Sequence, residues 1–286
     1  QPEAHAIAAD MRALAEDYGE RTGRPRVLIG EIFLPNAAHA CWFGTPDRPE
    51  VHLPFNFQLI ENAWDADVLR RVIADYLASL PEWGWPNWVF GSHDAPRIAA
   101  RIGEPQARVA AMLLLTLRGT PTLYQGDEIA IGDAPIRPDR IRDPQHFRQP
   151  TLNIGRDRSR TPIPWDARAF AGFSTVEPWL PLNPDWPTRN VAAQDNDRSS
   201  MLWLYRRLLA TRRETPALAV GGMQLLDAPT GVLAYRRTHA DGDRTIVLNL
   251  TAGEAAFDWA GRVMLSTLDS PASPGRLRPN EGLVLA

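Results

Sequence analysis

The order of apolar patterns along the first two thirds of the chain is what most limits its fold. Ile7, Met11, Leu14 and Tyr18 recur at helical spacing, with Gly19 and Gly23 as stops. Arg26–Leu34 (RVLIGEIFL) reads as a buried strand carrying Glu31 near its C-terminal end. Val51–Ile60 is a second β-like run, weakened by Pro54. Asp65–Leu80 is helical, Trp88–Gly91 is a third strand leading into Ser92-His93-Asp94, Pro105–Arg118 is a helix and Thr120–Gln125 a fourth strand. Residues 130–195 have little periodicity, and a loop that long in a compact domain is usually functional. Ser199–Thr211 returns to helical rhythm.

Strands alternating with helices imply a parallel sheet with crossover helices, not a set of hairpins. From Glu31 to Asp94 is 63 residues, two steps of about 31. That is the step of a barrel with eight strand–helix units in roughly 250 residues, whose chemistry sits on the rim where both acids would fall. After residue 215 the pattern changes: Gly231–Tyr235, Thr245–Leu250, Gly261–Leu268 and Gly282–Leu285 are short β-like runs separated by turn residues. This predicts a boundary near 216, with 1–215 an α/β domain and 216–286 a small β-sandwich.

Composition narrows the function classes. A net charge of −3 offers no polybasic footprint for nucleic acid or anionic lipid. No apolar run reaches the ~18 residues of a membrane span. One cysteine, Cys41, excludes an internal disulfide framework and any Cys-rich metal site; a buried structural thiol is its default reading. With 26 Pro and ten Trp among 286 residues, stiff loops and indoles suggest a loop-built binding surface on a firm scaffold.

Six segments carry a resemblance: GEIFLP at 30–35, FGSHDAPR at 90–97, GTPTLYQGDEIA at 119–130, PIRPDRIRDP at 135–144, GRDRSRTPIPWD at 155–166 and AGFSTVEPWLPLN at 171–183. In order and spacing they resemble the alpha-amylase family, glycoside hydrolase family 13, in its alpha-glucosidase and oligo-1,6-glucosidase branch. The resemblance implies the second half (about strands five to eight) of a (β/α)8 TIM barrel followed by a C-terminal antiparallel β-sandwich domain. It implies retaining cleavage of terminal α-glucosidic bonds of short oligosaccharides without a cofactor or a metal in the chemistry. By matching motif positions, Glu31 would be the general acid/base and Asp94 the carboxylate that stabilises the transition state. His93 would bind hydroxyls of the glucose unit, and Arg156 and Arg160 would line the pocket for the non-reducing end. Ser92 departs from the family's usual Asn before His-Asp.

Retaining cleavage needs two carboxyls about 5 Å apart, one protonating the leaving oxygen and one attacking the anomeric carbon. Bland readings stand beside these roles. Glu31 could be a surface acid at a strand end, Asp94 an Asx-type turn, and Arg156 and Arg160 part of a solvated charge cluster. Arg97 is expected to pair with a carboxylate in place of touching substrate, Trp83, Trp85 and Trp88 to pack in a core beneath the strand, with a sugar-stacking surface as their alternative, and Asp127-Glu128 to anchor a loop. The family's nucleophile motif, G-x-R-x-D, does not occur before Glu31, where the only aspartates are Asp10 and Asp17 on the opening helix. The chain is therefore expected to be a C-terminal fragment that is inactive alone and prone to self-association through exposed barrel edges. A transglucosylase or sucrose-isomerising relative is the alternative within enzymes. A non-catalytic amylase-like interaction domain is the alternative of another class, although such proteins usually lose the catalytic carboxylates. The single cysteine fits a cytoplasmic location.

Overall fold

The computed structural model describes residues 1–149, 155–270 and 273–286. They form two compact units, Gln1–Val89 with Arg118–Thr122, and Phe90–Leu117 with Leu123–Ala286.

In the first unit, α1 (Pro2–Thr22) opens on a proline and ends at Gly23, whose φ of 64° suits a residue without a Cβ. Gly19 stays inside the helix. There follow β1 (Ile29–Gly30), α2 (Asn36–Ala40), the antiparallel pair β2 (Gly44–Thr45) and β3 (Arg48–Pro49), β4 (Leu53–Pro54) and α3 (Gln58–Glu61). The unit ends with α4 (Ala66–Ser79), β5 (Asn87–Val89) and β6 (Thr120–Thr122). β1 runs parallel to β4 and β5 parallel to β6, and a parallel bridge from Asn56 to Trp88 joins the pairs. The expected parallel alternation is thus present as an open run, and the described strands do not close into a barrel. Asp65 caps α4 by accepting the Asp67 and Val68 N–H groups, both at 3.0 Å. The helix buries Leu69, Ile73 and Tyr76; the Tyr76 ring meets that of Trp88 edge-on at 5.0 Å.

The first strand is shorter and more exposed than its sequence suggests. Only Ile29–Gly30 of the run Arg26–Leu34 pairs, and Val27, Ile29, Phe33 and Leu34 all face solvent. Among the described residues β4 is the single strand hydrogen-bonded to β1, and Phe33 keeps half of its surface in solvent even with its ring stacked on that of Phe57 at 4.0 Å. Val51–Ile60 also divides: two strand residues, the Asn56 bridge, then α3. Pro54 sits within the pairing at a position whose N–H the ladder to β1 does not use: Leu53 and Phe55, on either side, donate to the Leu28 and Gly30 carbonyls at 3.2 and 2.8 Å.

The second unit begins with α5 (Ile98–Thr116), broken at Gly103 (φ 77°) just before Pro105. Loop turns and the short helices α6 (Pro144–Arg148) and α7 (Val191–Asp195) lead to α8 (Met201–Glu214) and α9 (Pro216–Ala219). Seven strands follow: β7 (Gly222–Leu226), β8 (Val232–Thr238), β9 (Arg244–Asn249), β10 (Ala255–Phe257), β11 (Val263–Ser266), β12 (Gly275–Leu277) and β13 (Gly282–Leu285). Five make an antiparallel sheet in the order β11-β13-β9-β8-β7, and β10 pairs with β12. Leu277 of β12 and Ala255 and Phe257 of β10 pack on Val232, Ala234, Val247, Leu283 and Leu285. The other side of the sheet meets α5 and α9. The position expected for a boundary, near 216, falls inside this unit. There the fully buried Arg237 of β8 donates to the carbonyls of Thr116, Leu218, Gly221 and Gly222 at 2.6–3.0 Å.

Candidate functional site

The segment that leaves β5 turns sharply at Ser92, whose Oγ accepts the Asp94 N–H at 3.2 Å. This Asx-like geometry lifts His93 and Asp94 out of the core as half-exposed or exposed side chains. One oxygen, Asp94 Oδ1, collects three cationic or polar groups: Arg160 Nη2 at 2.7 Å, Arg156 Nη1 at 2.9 Å and His93 Nε2 at 3.4 Å. Arg160 also donates from Nε to the His93 carbonyl at 2.9 Å. Four of the five expected site residues therefore converge on one carboxylate.

What holds Arg156 in place is Asp143, which sequence reasoning missed. Its buried carboxylate takes Arg156 Nε at 2.9 Å and Nη2 at 2.8 Å in a fork, plus the Arg156 N–H at 2.9 Å. The Arg156 hydrogen bonds hold the Asp143 carboxyl well below the usual range, and the Arg156 guanidinium is raised in turn, chiefly by its bonds to Asp143. Asp143 also caps α6 through the Gln145 N–H at 3.1 Å, so Asp-Pro at 143–144 was a visible helix-start signal. Buried Asp157 secures this loop by accepting the N–H groups of Arg142 and Asp143 at 2.6 and 2.9 Å. An anchored guanidinium pair around an accessible carboxylate presents fixed charged donors and acceptors, the chemistry that recognises vicinal hydroxyls.

Glu31 lies in the first unit, directly after β1, with its side chain exposed. Its reading as part of a buried strand is corrected. Cys41 is likewise exposed, its Sγ within 3.3 Å of the Ala37 carbonyl, rather than a buried thiol. Trp88 is in the core and donates to the Arg118 carbonyl at 2.7 Å, Trp85 is half-buried and Trp83 is exposed, so the three tryptophans do not act as one packed set. Arg97 is fully buried, donates to the Gln125 carbonyl and lies 5.0 Å from the Tyr124 ring centre. Glu128 anchors its loop through the Gly126 N–H at 2.7 Å. Among the described residues no group of three or more His, Cys, Asp or Glu could hold a metal ion, and no helix is long and apolar enough to cross a membrane.

With this geometry the family is established: residues 1–221 match the model of the alpha-amylase catalytic domain, and the chain belongs to that family. It is 32% identical over 214 residues to a Rhizobium meliloti protein named "Probable alpha-glucosidase", covering 72% of this chain and 39% of that one. It is 30% identical over 256 residues to the mouse (Mus musculus) amino acid transporter heavy chain SLC3A1, covering 88% and 36%. Among solved structures, the alpha-glucosyl transfer enzyme XgtA superposes with a TM-score of 0.88 at 30% identity, covering all of this chain and 55% of that one. Trehalulose synthase MutB from Pseudomonas mesoacidophila MX-45 gives 0.86 at 29% identity, covering 99% and 58%. The chain thus spans well under two thirds of the relatives it matches, and its five-stranded C-terminal sheet fits the β-domain expected after a barrel.

Proposed function

We propose that these residues are part of a retaining alpha-glucosidase that hydrolyses terminal α-glucosidic bonds of short oligosaccharides. The observation that carries this reading is the convergence of Arg156, Arg160 and His93 on Asp94 Oδ1 in a chain of the alpha-amylase family. In this reading residues 1–215 are strands five to eight of the barrel with their helices, and 216–286 the β-sandwich domain. Glu31 passes its proton to the leaving glycosidic oxygen as a second carboxylate attacks the anomeric carbon. It then takes a proton from the water that releases the sugar. Asp94 supports the positive charge that grows on the ring, and His93, Arg156 and Arg160 hold hydroxyls of the terminal glucose. The attacking carboxylate has no counterpart among the motifs of this chain, so the chain by itself turns over essentially nothing.

A second reading, glucosyl transfer including sucrose isomerisation, is favoured by the likeness to XgtA and to trehalulose synthase. It differs only in the acceptor, a sugar hydroxyl in place of water. The transporter heavy chain among the relatives suits a non-catalytic role, but Glu31 and Asp94 both stand at their motif positions here. The test is to incubate the 286-residue chain with p-nitrophenyl α-glucoside beside Glu31→Gln, and to follow methyl α-glucoside binding by NMR in the native chain and in Asp94→Asn. The expected result is no colour above the Glu31→Gln control, with sugar-induced shifts at Asp94 that vanish in Asp94→Asn. Turnover abolished by Glu31→Gln would show that another carboxylate of this chain attacks the sugar; sugar shifts that never arise would overturn the glucoside reading.

A further inference from the structure

Beneath the Ser92–Asp94 turn lies a carboxylate the reaction above does not use. Asp127 is buried, and a Cβ built on Gly91 would stand only 2.7 Å from its Oδ2 and 2.9 Å from Tyr124 Cβ. The backbone two residues before His93 therefore rests directly on this side chain, and only glycine allows the approach. Arg101 of α5, whose charge interacts with Asp127, donates to the carbonyl of Phe90, the residue before Gly91. From the same turn Tyr124 donates its hydroxyl to the Ser159 carbonyl at 2.8 Å, and Ser159 Oγ donates to the Arg156 carbonyl at 3.0 Å. Residues 124–127 thus touch both halves of the cluster, the His93-Asp94 turn and the Arg156–Arg160 loop.

We infer, on the basis of the glucoside reading above, that Asp127 is a positioning residue: through Gly91 and Arg101 it sets where His93 and Asp94 stand toward the sugar. The side chain is poised to respond to its surroundings. Burial above all, and then the neighbouring Glu128, push its carboxyl up to about 7, against the pull of Arg97 and Arg101. The buried phenol of Tyr205 on α8 also faces it, and Asp133 acts on both arginines. Asp127 Oδ1 and Arg97 Nε and Nη2 are buried without a hydrogen-bond partner among the described residues. Ionising the carboxyl strengthens its pull on Arg97 and Arg101, and Gly91 follows. Because the folded value lies above the ordinary one, the stability linked to the protonated form is present below the ordinary carboxylate range and is lost as pH rises toward 7.

The test compares the native chain with Asp127→Asn by amide NMR, first without sugar and then with methyl α-glucoside. In the native chain the Gly91 and Asp94 amide signals titrate with a midpoint near 7, and this inflection is absent in Asp127→Asn. The variant binds methyl α-glucoside about tenfold more weakly, as expected for a displaced binding group. Gly91→Ala, which presses on the same contact from the other side, shifts the same amides if Asp127→Asn fails to fold. Identical Gly91 and Asp94 signals in native and variant chains at every pH overturn the proposal. So do displaced signals with unchanged sugar affinity. A native chain that binds no sugar overturns the glucoside reading instead, and the sugar-free titration then decides the placement of the turn by Asp127.

Discussion

The two ends of the chain treat similar side chains in opposite ways. In α1, β1 and the segment between them, Ile7, Met11, Leu14, Tyr18, Val27 and Ile29 are each 45–65% exposed. In β8 and β9, Val232, Leu233, Ile246, Val247 and Leu248 are fully buried. Both regions place apolar residues at the spacing of their element, although the stripe of α1 is weaker than that of α4. The difference is a second layer: the C-terminal sheet has the β10–β12 ribbon on one side and α5 and α9 on the other, whereas β1 has one neighbouring strand. Periodicity shows which side of an element can be buried, and only a packed partner turns that into stability.

The sharpest test of this contrast is Arg237→Met. It leaves four carbonyls, three of them buried, without the Arg237 donor and is expected to cost about 4 kcal/mol or more, read by urea denaturation. A cost below about 1 kcal/mol would mean that the seam between the sheet and α5 is held by apolar contact alone. Leu248→Ala, in the fully covered sheet, should cost about 3 kcal/mol.

A smaller effect is expected from acid. Arg156 holds the Asp143 carboxyl below its ordinary value, so the pair's stabilisation is intact above the ordinary Asp range, near pH ~3.9, and fades as pH falls below it. Asp143→Asn should lower the Tm at neutral pH and flatten its dependence on acid. An unchanged acid limb would show that other carboxylates govern it. The least effect is expected from Leu14→Ala on the exposed stripe of α1, within about 0.5 kcal/mol. A cost like that of Leu248→Ala would break the comparison, since it would require a layer over α1.

Much of the site was legible because it depends on local sequence. Ser92-His93-Asp94 forms its turn from its own side chains, and Arg156 and Arg160 lie four residues apart on one short loop. Asp127 escaped because its role comes from partners far along the chain, Gly91 and Arg101, while Asp143 showed locally only as the start of α6 and not as the partner of Arg156, 13 residues on. An acid beside an acid, as in Asp127-Glu128, does not reveal from sequence which one is buried. Glu31 shows the reverse error, since apolar neighbours on both sides suggested burial that β1 does not provide.

By itself the sequence determined the parallel alternation of the first unit, the helix start at Asp65 and, within a residue, that of α8 at Ser199, the β character of the tail and the motifs that place the chain in its family. These rest on spacing, propensity and capping, which act within a few residues. Tertiary structure alone decided that α1 and β1 stay exposed, that Arg237 is sealed among four carbonyls, and that Asp94 sits at the meeting point of two arginines. Each depends on burial or charge between residues tens of positions apart, where the free energy belongs to the packed pair and neither partner's local sequence carries it.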